Sequence, residues 1–351
     1  MFIVFAIITI ALPLWRARLR GKQLAPDCLS INQTTAIRGL LVLFIFFSHF
    51  FQRVTGGWLP FGDSICVSLI EKIGQMMVAP FLFYSGFGIV LSYTKKGKSY
   101  IDSFPKKRIL KTYLFFVAVV LVYLIYNAIV GNKHDIKTIA LSFLGYEKIG
   151  NPNWFMFAIL FMYIVTYLSA RINKKRIDYK TVLAVFACVI SYQLAFCLIF
   201  KPGQSWWYDT IICFPFGMLI GLLGKKVLAL IKSHRLSTLA ICLGSFVVFF
   251  ALRLQLHGMY YVFWYNILSC FFCSLIVAIC SYVKIENPIL LFLGRHSFSI
   301  YIFQMIPFSL FYNGLSNMPV PFFLCSLAVT LLIALLFDLI TNLPNKHVQS
   351  S

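Results

Sequence analysis

The chain has 351 residues, of which 60% are hydrophobic, 17% aromatic and 12% charged, and its mean hydropathy is +0.86. Soluble globular domains run about 45–50% apolar and about 25% charged, so the composition excludes a soluble enzyme, a secreted disulfide module and a disordered scaffold. The 31 Lys and Arg against 10 Asp and Glu give a formal charge of +21; in a soluble protein that points to nucleic acid, but these residues lie between apolar runs, where they read as topology signals and imply no nucleic-acid partner.

A helix needs about 20 mostly apolar residues to cross about 30 Å of hydrocarbon. Eleven runs are candidates: 2–15, 37–53, 73–93, 112–130, 154–170, 181–200, 210–224, 236–252, 260–282, 297–315 and 321–342. The expected fold is therefore all-α, a polytopic membrane helical bundle of about 10–11 transmembrane helices.

The first run has no charge before its apolar core, and Arg16, Arg18, Arg20 and Lys22 follow it. A signal peptide has the reverse order, so 1–15 is read as an additional, retained transmembrane helix with its N-terminus outside. Alternation from there is testable by charge. Segments assigned to the inside carry 24 basic residues and those outside seven, which together are all 31. That is the asymmetry of the positive-inside rule, and it puts the C-terminus in the cytoplasm.

The second run lies in SINQTTAIRGLLVLFIFFSHFFQ, residues 30–52. Ser30 and Gln33 form an S-x-x-Q pattern that can cap a helix on the inner side. Arg38 and His49 stand eleven residues apart, close to three turns, so they share a face at a separation of about 16 Å. Ionisable residues within a span face the bundle interior or a wet cavity. Two readings stand side by side. In the bland one, His49 bonds a neighbouring helix and Arg38 is an inner anchor; in the functional one, Arg38 binds phosphate and His49 is a base at the far end of a channel.

The third run holds PFLFYSGF (80–87), whose Ser85-Gly86 pair permits close helix approach. The following inner loop, 94–111, carries seven positive charges; it is a headgroup anchor or, beside Arg38, part of a grip on a polyanionic nucleotide. The longest outside loop, 131–153, contains the apolar patch IALSFLGY, expected as a membrane-surface helix. Trp206 and Trp207 read as an interfacial aromatic belt. Cys270 and Cys273 form a CxxC inside a helix with no second pair, which reads as packing, and no metal is expected. His134, His234, His296 and His347 read as solvated, His257 as an outside-loop residue for which a glycan contact is the lesser reading, and Asp338 as a hydrated carboxylate near the inner interface. P-loop, GxGxxG and GxSxG patterns are absent from the sequence.

Several of these segments, in this order, resemble the acyltransferase-3 family of membrane-bound acyltransferases, whose members O-acylate bacterial polysaccharides. Arg38 to His49 resembles its R-x10-H, PFLFYSGF its aromatic segment ending in S-G-F, and Arg108 to Lys111 its R-x-x-R with Lys in the second place. Asn153-Trp154-Phe155, FPFGMLIGL (214–222) and LGRHSFSIYIFQ (293–304) resemble three further segments, the last with Gln304 where His is common. The resemblance covers about residues 30–342. It implies acetyl-CoA, or another acyl-CoA, as cytoplasmic donor and a hydroxyl of an extracytoplasmic glycan or lipid-linked sugar as acceptor, in a bacterial cell membrane. Arg38, Arg108 and Lys111 are then expected to hold the CoA phosphates and His49 to act as general base, with Arg38 part of the same catalytic face. Tyr84, Ser85 and Trp154 are candidate substrate-binding residues. Membrane lipids are the remaining partner. Two rivals stay open: a transporter or flippase for a lipid-linked sugar, for which matched broken helices in two halves are expected, and a glycan polymerase, for which a large Arg-rich outer loop is expected.

Overall fold

The computed structural model describes residues 7–19, 26–54, 70, 73–253, 255, 258–285 and 287–341. Helix dominates them, as the composition requires: without water to pair with backbone groups, a spanning segment must satisfy them internally. Among the described residues eight helices are long and apolar enough to cross a membrane.

Helix α1 spans Ile31–Val54 and is the most enclosed of these, with 72% of its apolar window buried. Its start is half of the expected capping box. The Gln33 amide N–H donates to Ser30 Oγ at 3.3 Å, but the Gln33 side chain turns away and clamps a strand, accepting from Ile285 N and donating to Val283 O. That strand, β2 (Val283–Ile285), pairs antiparallel with β1 (Ala17–Leu19). The pairing ties together two segments that charge counting puts on the same side, both at the Arg38 end of α1.

Helix α2 is Ala79–Lys96. The expected basic loop 94–111 is not a loop but is largely helical: α3 (Lys98–Phe104), a π-turn over Pro105–Leu110 and α4 (Lys111–Val130) run without interruption. Proline lacks the N–H that a helix needs, and the wider turn absorbs that loss at Pro105. The connection 131–153 contains α5 (Ile136–Phe143), capped by Asp135, whose carboxylate accepts from Thr138 N at 2.6 Å. Next come α6 (Trp154–Ile172), α7 (Tyr179–Ala195), α8 (Cys213–Ser233), α9 (Arg235–Arg253) and α10 (Gly258–Tyr282). A short helix, α11 (Pro288–Arg295), precedes a crossing split into α12 (Ser297–Phe303) and α13 (Met305–Leu315), and α14 (Pro319–Ile340) is the last. The run expected unbroken over 297–315 is interrupted at Gln304. Pro307 removes the donor for the Phe303 carbonyl, and the Tyr123 hydroxyl donates to the neighbouring Ile302 carbonyl at 2.7 Å.

Glycines set the spacing around α1 and α2. A Cβ at Gly39 would strike the Leu290 carbonyl, and one at Gly294 the Thr35 carbonyl, so α1 and α11 touch backbone to backbone. Gly86 and Gly217 do the same for α2 and α8, each lying against a carbonyl of the other helix, Phe214 and Phe83 respectively. This is small-residue packing of membrane helices. Four of the family-like segments therefore owe these glycines to helix contact rather than to chemistry.

Candidate functional site

The fold gives the Arg38–His49 face of α1 a cavity. It is lined by Ile45, Val78, Phe81, Phe155, Ser297, Phe298 and Tyr301. Ile45 lies seven residues after Arg38 and four before His49, so the cavity opens on the helical face that joins them. The other linings come from the flanks of PFLFYSGF, from Asn153-Trp154-Phe155 and from LGRHSFSIYIFQ. Segments far apart in sequence thus converge on one small apolar space beside Ile45.

At the Arg38 end the cations are held by neutral hydroxyls. Arg38 Nη2 donates to Thr35 Oγ1 at 3.0 Å, its Nε is buried without a partner, and Tyr84 lies within electrostatic reach. On the next residue of α2, Ser85 Oγ is hydrogen-bonded to the Tyr163 hydroxyl at 2.9 Å. The Arg108 guanidinium faces Tyr163 and Tyr100. No carboxylate among the described residues pairs with Arg38 or Arg108. Tyr84 and Ser85 therefore sit with these cations and not at His49. Lys111 is exposed and is not drawn into the network. Trp154 is buried, and its side chain meets the Tyr301 hydroxyl.

At the His49 end the surroundings are aromatic and nearly uncharged. Phe46, Phe47, Phe50 and Phe51 pack with Phe308, Phe322 and Phe323. Gln304, fully buried, faces the imidazole, and Nδ1 of His49 and Oε1 of Gln304 are each buried without a hydrogen-bond partner. One turn on, Arg53 Nη1 donates to the His49 carbonyl at 3.2 Å, Nη2 approaches Met305 Sδ at 3.3 Å, and its guanidinium lies 5.0 Å from the Phe308 ring centroid. No carboxylate among the described residues pairs with it either.

Near this end, in the connection before α8, Asp209 is 1% exposed. It accepts from Ser205 Oγ at 3.1 Å, and burial pushes its carboxyl up to about 7 against the opposing pull of Ser205, Gln75 and Arg253. Gln75 also donates to the Trp206 carbonyl at 3.1 Å, which ties this connection to the start of α2.

Two sequence readings need correction. Asp338 is not hydrated: it is 7% exposed and binds His296 Nδ1 at 2.5 Å and Ser299 Oγ at 2.5 Å. His296 is accordingly a partnered rather than a solvated imidazole. Neighbouring helices cover the Asp338 face of α14, which hydropathy cannot register. Cys213 and Cys270 place their sulfurs 3.9 Å apart, and no His, Cys, Asp or Glu group among the described residues is arranged to hold a metal. His257 and His347 lie outside the described residues. Arg53, Gln304 and Tyr163 went unassigned. Arg53 was legible as a basic residue four positions after His49; the other two needed the tertiary structure.

The helical bundle, with a charged mouth, an apolar cavity and a buried imidazole in line, defines a multi-pass membrane protein with a site inside the bundle. The chain belongs to the acyltransferase family described as "Acyltransferase domain", whose family model matches residues 31–339; it is a membrane acyltransferase. No curated protein and no solved structure matches it.

Proposed function

We propose that this acyltransferase moves an acyl group, most simply acetyl, from cytoplasmic acyl-CoA to a hydroxyl of an extracytoplasmic or lipid-linked glycan, with the Arg38 end facing the cytoplasm. The observation that carries the reading is the cavity on the Arg38–Ile45–His49 face. Its apolar lining marks the side of α1 along which the pantetheine arm would run between the two residues, about 16 Å apart.

Arg38 and Arg108 meet the CoA phosphates. Their partners are hydroxyls, so their positive charge stays uncompensated until a polyanion arrives. The thioester carbonyl comes to lie near His49. The imidazole takes the proton of the acceptor hydroxyl as its oxygen attacks the carbonyl carbon. Collapse of the tetrahedral intermediate breaks the C–S bond, and the imidazolium returns the proton to the leaving CoA sulfur. A general base of this kind contributes about 10²–10⁴-fold. Arg53, one turn beyond, provides positive potential where negative charge builds on the carbonyl oxygen.

The test is release of CoA thiol from acetyl-CoA by purified protein with candidate glycan acceptors, wild type beside His49→Ala. Acceptor-dependent release that disappears in the variant supports the reading. Release that survives the substitution sinks it, and transport of a lipid-linked sugar without release would establish the flippase alternative.

A further inference from the structure

The crossing split at Gln304 runs alongside α1 in matched levels. Ile45 and Tyr301 line the same cavity. Two turns on, Arg53 touches Met305 and Phe308, and the Phe308 ring also packs at a tilt on Phe46, centroids 4.7 Å apart. Between those levels His49 and Gln304 face each other.

The amide's orientation is fixed from behind. Gln304 Nε2 donates to the Tyr301 carbonyl at 2.8 Å. Reversing the amide would set its oxygen against that carbonyl, acceptor on acceptor, so Oε1 is the end presented to the ring. An amide oxygen only accepts. The ring nitrogen it meets must carry hydrogen, and Nδ1, buried without a hydrogen-bond partner, is able to take that place. A neutral imidazole has one N–H, so the lone pair then resides on Nε2.

Building on the acyl-transfer reading, we propose that Gln304 is the positioning residue for His49: its Oε1 takes the Nδ1 proton, and this leaves Nε2 as the nitrogen that accepts the proton of the acceptor hydroxyl. Neither atom closes a full hydrogen bond in the resting geometry; such bonds commonly tighten when substrate is bound. The use of an amide instead of a carboxylate fits a site where Arg53 is already one turn away, because a neutral partner orients the ring without pairing off that cation. Among the described residues, the charged and titratable groups around the pair are Arg53 on α1, with Tyr123 and Tyr312 facing Arg53 from α4 and α13.

The experiment uses the full-length protein purified in detergent, as wild type, Gln304→Met and the isosteric Gln304→Glu. Two readouts are taken: carbethoxylation of His49 against pH, followed by mass spectrometry, and steady-state CoA release from acetyl-CoA with soluble oligosaccharides. The Glu variant should move the onset of labelling and the acid limb of the rate profile upward by about one to three pH units, the effect of an adjacent opposite charge. The Met variant should lose about 10–100-fold in kcat, the range for losing the outer partner of a metal-bound imidazole, with the KM for acetyl-CoA held within about twofold. A labelling profile identical in all three proteins would overturn the contact. A shifted profile with kcat unchanged in both variants would overturn the positioning role. If the wild type releases no CoA with any acceptor, the acyl-transfer reading itself fails and takes the role with it, while the labelling still reports the contact.

Discussion

The two ends of the Arg38–His49 face are built from different materials. At the Arg38 end two guanidiniums are held by hydroxyls of Thr35, Tyr100 and Tyr163. At the other end an imidazole and a single guanidinium stand among phenylalanines, with one amide for company. Neither end supplies a carboxylate to these groups among the described residues. The first end therefore keeps a surplus of positive charge available to a polyanion, whereas the second keeps an imidazole in an apolar setting where electrostatic effects are less screened. A donor that is charged at one extremity and reactive at the other would have its two demands met at separate places.

Substitutions that affect one end and spare the other sharpen this contrast. The largest effect is expected from His49→Ala, a loss of about 10²–10⁴-fold in kcat with little change in the KM for acetyl-CoA, measured by thiol release. Arg38→Gln should do the opposite: its KM for acetyl-CoA should rise about 10–100-fold, equivalent to about 1.5–3 kcal/mol for hydrogen bonds to a charged group, with kcat nearly preserved. An equal loss in kcat would show that the two ends are not separable.

Gly294→Ala tests what both ends share, because its new methyl would meet the Thr35 carbonyl. Overpacking of this sort costs about 1–3 kcal/mol, and the thermal midpoint in detergent should fall while donor affinity and turnover decline together. Asp209 gives a smaller, pH-dependent effect. Its carboxyl is raised from 3.8 to about 7, chiefly by burial. The folded state then binds more protons than the unfolded one across that window, so Asp209 makes stability fall as pH rises through it. Asp209→Asn should flatten that part of the stability profile and gain most above pH 7, as read by thermal melts across pH. Lys111→Ala should have the least effect, within about 0.5 kcal/mol in donor binding as for an ordinary surface substitution, because the side chain is exposed and outside the network.

How far the sequence could be read follows from the kind of signal each residue sends. Spans announce themselves by length and hydropathy, and the charge asymmetry between alternate segments checks their number. The basic stretch before α4 misled because charge was read as loop, although nothing between Lys98 and Val130 breaks a helix outright and Pro105 needs only a π-turn. Asp338 misled in the same way: a carboxylate near a helix end is hydrated only if no neighbour covers it, and His296 and Ser299 do.

Hydropathy along the chain is enough to make this a multi-helix membrane protein, and helical periodicity alone puts Arg38 and His49 on one face, because those properties depend on residues close together in the chain. Tertiary structure decided which side chains complete that face. Tyr163 reaches Ser85 across helices, Tyr301 helps to line the cavity beside Ile45, and Gln304 meets His49 from a segment about 250 residues away. Hydropathy ranks residues one at a time and carries no record of such meetings. They arise where glycines at 39, 86, 217 and 294 let backbones touch and so fix which faces look at one another.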